Sequence, residues 1–428
     1  MNLKRISCFC CAMAGAALLS ALPSRAAPSA GGFYLHDGDR VVMYGDSITD
    51  QKLYTVDTET YVTTRFPNLK VDWTAAGWGG DTVRGGGGGP IDVRLNRDVL
   101  PYKPTVMTIM LAMNDGGYRL FDQSLYTVFT GGYQHIIDVV TKDNPGVRFT
   151  FIEPSPYDDV TRAPNFPGGY NAVLIKYGQF LTTLKVAGTP PADFNTPMND
   201  MLTKADAADP TDAQKILPDR VHPSPAGHLV MTEALLKAWN APAVVTSVAI
   251  DTSTKSVSSA ENTKVTGLTV GPTIEWDQLD GSLPMPYDQG DKTTALVLSS
   301  SDFIQAVDQE PLKVTGLAAG SYDLKIDGAD AGKFTNDQLA GGINLATLPT
   351  PMFDQAQAVR KLVADRQNWH SQIYHGVEAT YWGSTDPAVK KAQDDFVAAL
   401  LTAEQKLVDQ EKAAAIPAKH HYVLTLAP

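Results

Sequence analysis

Between residues 40 and about 243 the chain alternates short apolar runs with longer amphipathic stretches. The runs at 41–44, 71–74, 106–111, 148–152 and, weakly, 192–195 are too short for helices and predict strands. Between them, stretches at about 53–66, 91–99, 124–142, 170–186 and 224–240 carry the 3.6-residue period of helices. Near-continuous apolar strands separated by helices predict a parallel sheet of five strands covered on both faces, a three-layer α/β domain over 32–243.

After Pro242 the texture changes. From about 245 to 345 the sequence is rich in Thr, Ser, Val, Gly and Asp, with short alternating runs at 255–257, 295–298 and 322–326, which predicts a small β-rich, sandwich-like domain. Residues 351–415 carry two long amphipathic patterns, with Pro387 near the start of the second. They predict a C-terminal helical hairpin in a region running to 428, with 421–426 as a possible last strand. The glycine run 85–89 reads as a flexible loop, since no Gly-Lys-Ser/Thr tail follows it to make a phosphate cradle.

At 428 residues and 43% hydrophobic composition, the chain exceeds what one core usually fills. Its first 26 residues read as a signal peptide: Lys4 and Arg5, an apolar segment, then Ser24-Arg25-Ala26 as a small-residue cleavage site. All three cysteines, Cys8, Cys10 and Cys11, lie in that segment, so the processed chain has no disulfide, thiolate nucleophile or cysteine metal site. Processing leaves 32 basic residues against 47 acidic ones, a net charge of about −15. That balance excludes a nucleic-acid partner and fits an exported protein, secreted or periplasmic, with no membrane span after processing.

Candidate chemistry falls at strand ends. The stretch VVMYGDSITD closes the first strand and brings Ser47 to the edge where parallel sheets bind ligands, beside backbone N–H groups left unpaired at the start of a helix. Capping by Asp46 and Ser47 is the alternative use of those residues. The second run closes in Ala76-Gly77-Trp78-Gly79-Gly80-Asp81-Thr82, where glycines permit close backbone approach. The third closes in Leu111-Ala112-Met113-Asn114-Asp115, which offers a side-chain amide donor. Ahead of the last helix comes Asp219-Arg220-Val221-His222-Pro223, a carboxylate three residues before an imidazole. Each is ordinary alone; together they supply nucleophile, base, orienting acid and oxyanion donors, the requirement for acyl transfer.

This ordered set resembles the GDSL-type or SGNH hydrolase family over about residues 38–243, and its Gly-Asp-Ser-Ile-Thr form is similar to the bacterial acetylesterase and carbohydrate-esterase branches. The resemblance implies a flavodoxin-like fold. It also implies Ser47 as nucleophile, Asp219 and His222 as the rest of the triad, and Gly80 and Asn114 as oxyanion donors beside the Ser47 amide. Two positions depart from the family pattern: Ala112 stands where Gly-x-Asn-Asp begins with glycine, and Ala75 where the second block often begins with Asn. Gly77 or Gly79 could therefore share the role of Gly80.

The resulting expectation is a serine esterase with no cofactor or metal, acting on small-molecule or polysaccharide esters, with short O-acyl (acetyl) groups on carbohydrate as the expected substrate. Trp78 and Asp46 are the expected substrate contacts. A lipase or thioesterase for longer chains and a non-catalytic carbohydrate-binding surface protein are the rivals. His228 is expected to be solvated or to pack, His420 and His421 to form an exposed pair, and 277–291 to be solvated loops rather than a calcium site.

Overall fold

The first apolar run becomes strand β1 (Asp39–Gly45), whose side chains are buried from Val41 onward. It leads into the short helix α1 (Ser47–Asp50) and then α2 (Leu53–Arg65). The computed structural model describes residues 32–427; the expected signal peptide lies outside them. Strands β2 (Val71–Gly77), β3 (Val106–Met110), β4 (Arg148–Glu153) and β5 (Ala192–Asp193) come next, alternating with helices α3 (Ile91–Asp98), α4 (Gln123–Asp143) and α5 (Asn171–Leu181). Helices α6 (Asn195–Ala208) and α7 (Pro225–Ala238) complete this part of the chain. All pairings are parallel, in the order β2-β1-β3-β4-β5. The chain is therefore a parallel α/β protein of the flavodoxin-like kind, with further β sheets and C-terminal helices. The weak fifth run is two residues of strand, and α6 begins directly after it.

Beyond residue 243 two sheets form. One, of order β8-β9-β14-β11-β12, contains β8 (Thr263–Val270), β9 (Thr273–Asp280), β11 (Ser321–Ile326), β12 (Ala329–Thr335) and the last strand β14 (Lys419–Leu426). The other, of order β13-β10-β6-β7, contains β6 (Ser247–Asp251), β7 (Ser256–Glu261), β10 (Pro311–Thr315) and β13 (Ile343–Asn344). Trp276, Leu312, Val314, Leu324, Tyr422 and Leu424 share one buried core between them. A boundary near 345–351 does not separate this layer from the C-terminal region, because β14 enters the middle of its sheet. Nor does 243 end the core of the α/β layer, which also takes in Met285, Val297, Phe303 and Phe353. Residues 295–298 lie in the helix Lys292–Ser300, capped by Asp291, and not in a strand.

The helical part comprises α10 (Pro351–Ser371), a π-helical turn at Gln372–Glu378, and α11 (Pro387–Ala414), α8 and α9 being Lys292–Ser300 and Phe303–Val307. Helix α10 packs against α2. Its Arg366 is buried among Glu59 of α2 and Glu404 and Glu411 of α11. A buried guanidinium paired on three sides fixes register strongly, since losing any one partner leaves a buried charge uncompensated. Among the described residues no helix is long and apolar enough to cross a membrane.

Candidate active site

Gly45, the end of β1, is in register with Gly77 of β2 and Met110 of β3, so the strand-end loops open at one edge of the sheet. Gly77 has to be glycine: a Cβ there would lie 2.2 Å from the Asp50 amide nitrogen of α1. This close approach sets the loop Trp78–Asp81 beside the helix that begins with Ser47.

His222 joins the edge from the loop before α7. Its Nε2 lies 2.8 Å from Ser47 Oγ and its Nδ1 lies 2.6 Å from Asp219 Oδ2. Asp219 Oδ1 also accepts the backbone N–H groups of Val221 and His222, at 2.9 and 2.7 Å. Burial works against the charged carboxylate, but these donors and the imidazole hold its pKa below the ordinary range. A carboxylate on Nδ1 leaves Nε2 free to accept, the tautomer needed to take a proton from Ser47. The Asp219 side chain is 55% exposed and the His222 side chain 33%, so the site opens to solvent.

Of the oxyanion candidates, Gly80 sits at φ +76°, and its N–H has no acceptor among the described residues. The Trp78 N–H is spent on Gly45 O, and the Gly79 N–H on the Asp50 carboxylate. Gly80 thus keeps a free donor in this loop. Asn114 is oriented at both ends: Nδ2 donates to Asp81 O at 3.0 Å and Oδ1 accepts from Tyr118 OH at 3.0 Å. One amide hydrogen remains available.

Beneath the loops lies a buried polar frame. Arg94 of α3 donates to Asp81 Oδ2 and to Ala76 O, both at 2.7 Å, and pairs with Asp98. Asp115 accepts from Val83 N at 2.9 Å and Ala112 N at 3.0 Å, tying the glycine block to the Asn114 loop, while burial pushes its carboxyl up to about 6. Ala112 stands at φ 112°. That is the position where the family pattern has glycine, and a methyl side chain there carries backbone strain.

Three expectations need correction. Asp46 is buried and caps α1 by accepting from Ile48 N at 3.0 Å, burial pushing its pKa to about 7; it does not reach substrate. The Trp78 ring is partly exposed but largely engaged within the protein: His375 stacks on it at 3.8 Å, and Arg94 and Arg97 lie against the ring at 5.3 and 5.0 Å. The glycine run 85–89 is a tight two-stranded turn rather than a loose loop, and a Cβ at Gly88 would strike the Trp78 ring at 2.5 Å.

Among the other residues, His228 is buried, accepting from Tyr54 N and bonding Gln51 Oε1, and burial lowers its pKa to about 3. His420 and His421 do not form an exposed pair. Adjacent strand residues point to opposite faces, so His420 is buried against Asp327 while His421 meets Asp277 at the surface. Among the described residues no group of three or more His, Cys, Asp or Glu side chains could hold a metal ion.

Sequence reasoning missed Tyr118, 43% exposed beside Asn114, and Arg94, Tyr374 and His375 around the Trp78 loop. No spacing signal links residues 374 and 375 to residue 77.

A hydroxyl, an imidazole and a carboxylate in line at the edge of a parallel sheet define a serine hydrolase. Residues 43–230 match the model of the GDSL-like lipase/acylhydrolase family, which marks that part of the chain as a GDSL-like domain, and the protein as a carboxylic ester hydrolase. A solved structure of BT4096, described as a gut microbial diltiazem-metabolizing enzyme, is similar at 25% identity and TM-score 0.78, over 93% of this chain and 99% of that chain. The sheets and helices after residue 243 are therefore shared with it. A lipase/acylhydrolase from Enterococcus faecalis matches at 19% identity and TM-score 0.35, over 47% of this chain and 95% of its own. An acetyl xylan esterase, AlAXEase, matches at 17% and 0.35, over 46% and 98%. No curated protein matches the sequence.

Proposed function

We propose that this protein is an exported serine esterase that hydrolyses carboxylic esters through an acyl-enzyme on Ser47, with short O-acyl groups on carbohydrate as its natural substrate class. The observation that carries the reading is the continuous relay from Ser47 Oγ through His222 to Asp219, with both links inside hydrogen-bond reach. His222 takes the Ser47 proton as the oxygen attacks the ester carbonyl, and Asp219 holds the imidazolium that forms. The oxyanion is met by the Gly80 and Ser47 N–H groups and the Asn114 amide, each such donor being worth about 3 kcal/mol of barrier. His222 then protonates the leaving alkoxide, and water repeats the sequence on the acyl-enzyme to release acid and regenerate Ser47.

The exposed His222 and Asp219 favour an acyl group borne on a large alcohol, since that face leaves room for a bulky leaving group. Tyr118 offers an aromatic face suited to a sugar ring. Export rests on the basic, apolar and small-residue pattern of the first 26 residues. The similarity to BT4096 favours a second reading, small-molecule esters of drug-like alcohols. Acetate release from acetylated polysaccharides, measured beside a p-nitrophenyl ester chain-length series with wild type and Ser47→Ala, separates these readings. Release from polysaccharide with preference for acetyl supports the first, activity on small esters alone supports the second, and preference for octanoyl or longer overturns the short-acyl assignment.

A further inference from the structure

The loop that carries Gly80 is gripped from a part of the chain nearly 300 residues away. Tyr374 OH donates to Gly77 O at 3.1 Å. The His375 ring stacks on Trp78, with centroids 3.8 Å apart and planes 17° from parallel. His375 Nε2 meets Asp50 Oδ1 at 3.1 Å, and the Asp50 carboxylate in turn accepts the Gly79 N–H. Three consecutive loop residues, Gly77, Trp78 and Gly79, are thus held by one dipeptide, directly or through one carboxylate. Asp50 is also the last residue of α1, the helix that begins with Ser47. The dipeptide therefore touches both the element bearing the hydroxyl and the loop bearing the free amide.

Both residues lie in the π-helical turn Gln372–Glu378 between α10 and the residues leading to α11. A π turn is rare and falls frequently at functional sites. Three of the four residues from 77 to 80 are glycine, so outside contacts are needed to hold their backbone in one conformation. Arg366, one helical stretch earlier, anchors α10 to α2 and makes the support rigid.

We infer that Tyr374 and His375 are positioning residues for the oxyanion loop, making the C-terminal helical segment a working part of the catalytic apparatus rather than an appendage. The inference rests on the acyl-enzyme reading above. An N–H displaced by about 1 Å loses much of its hold on the oxyanion, on the order of 100-fold in rate. The loss falls on kcat rather than KM, because the donor acts on charge that develops only in the transition state.

The test uses the full chain with p-nitrophenyl acetate, comparing wild type, His375→Ala, His375→Gln, Tyr374→Phe and Ser47→Ala, with a melting curve for each. His375→Ala is expected to lower kcat by about 10- to 100-fold with KM within about 2-fold. His375→Gln, whose amide can still donate to Asp50, should recover most of that loss, and Tyr374→Phe should cost about 10-fold. Unchanged kcat in both His375→Ala and Tyr374→Phe would overturn the positioning role, as would a loss that glutamine fails to rescue and that tracks a lowered melting temperature. A fully active Ser47→Ala would instead overturn the underlying reading, so the two failures are told apart.

Discussion

The two loops that meet at Ser47 are built in opposite ways. In the Asp219–His222 loop the reacting groups are set locally, Asp219 accepting two amides and the imidazole of residues no more than three positions away, while Arg220 between them ties the loop to Asp158 and Ala163. The loop from Gly77 to Asp81 owes its supports to distant residues, Arg94 below, Tyr374 and His375 above, and Asp115 through the adjoining Val83. The first loop places the groups that move protons, where the relay must be short. The borrowed one places an amide that only has to stay still, and rigidity can come from anywhere in the fold. Damage should therefore be chemical at the first loop and structural or positional at the second.

The largest effect is expected in the relay itself. Ser47→Ala and His222→Ala should each lower kcat by at least about 10³-fold with melting unchanged, read by ester turnover and calorimetry. At the borrowed loop, Arg94→Met removes the cation from buried Asp81 and should cost about 3–5 kcal/mol in urea denaturation, together with activity. If Arg94→Met instead kept both full stability and full turnover, the contrast between the loops would fail.

A third test concerns the platform beneath both. His228 has its folded pKa lowered to about 3, so the unfolded chain takes up a proton that the native state refuses. Its contribution is present above about pH 6.5 and is lost as pH falls towards 3, amounting to about 2 kcal/mol by pH 5. Denaturation of wild type and His228→Gln at pH 7 and pH 5 should show this extra acid sensitivity only in wild type. The smallest effect is expected at Ala112, where Ala112→Gly relieves the positive-φ strain against the greater unfolded-state freedom of glycine and should raise stability by about 1 kcal/mol.

The same contrast explains what is legible in the sequence. Strands β1 to β4 are plain because both faces of a parallel sheet are buried, which leaves unbroken apolar runs, and the Asp219–His222 spacing is plain because its contacts are local. Trp78 misleads because an aromatic residue in a glycine block looks exposed until its partner arrives, and His375 carries no mark of being that partner. Asp46 shows a capping residue type, yet only its burial separates capping from substrate contact. The final strand is visible at 421–426, but its insertion between β9 and β11 depends on pairings some 100 to 150 residues away that no local period encodes.

The most direct measurement is to quench the enzyme in acid during turnover of a slowly deacylated ester and locate the acyl group by peptide mass spectrometry. The account predicts one acyl group on the peptide containing Ser47, absent in Ser47→Ala. An acyl group on another residue, or wild-type turnover by Ser47→Ala with no acylated peptide, would contradict it.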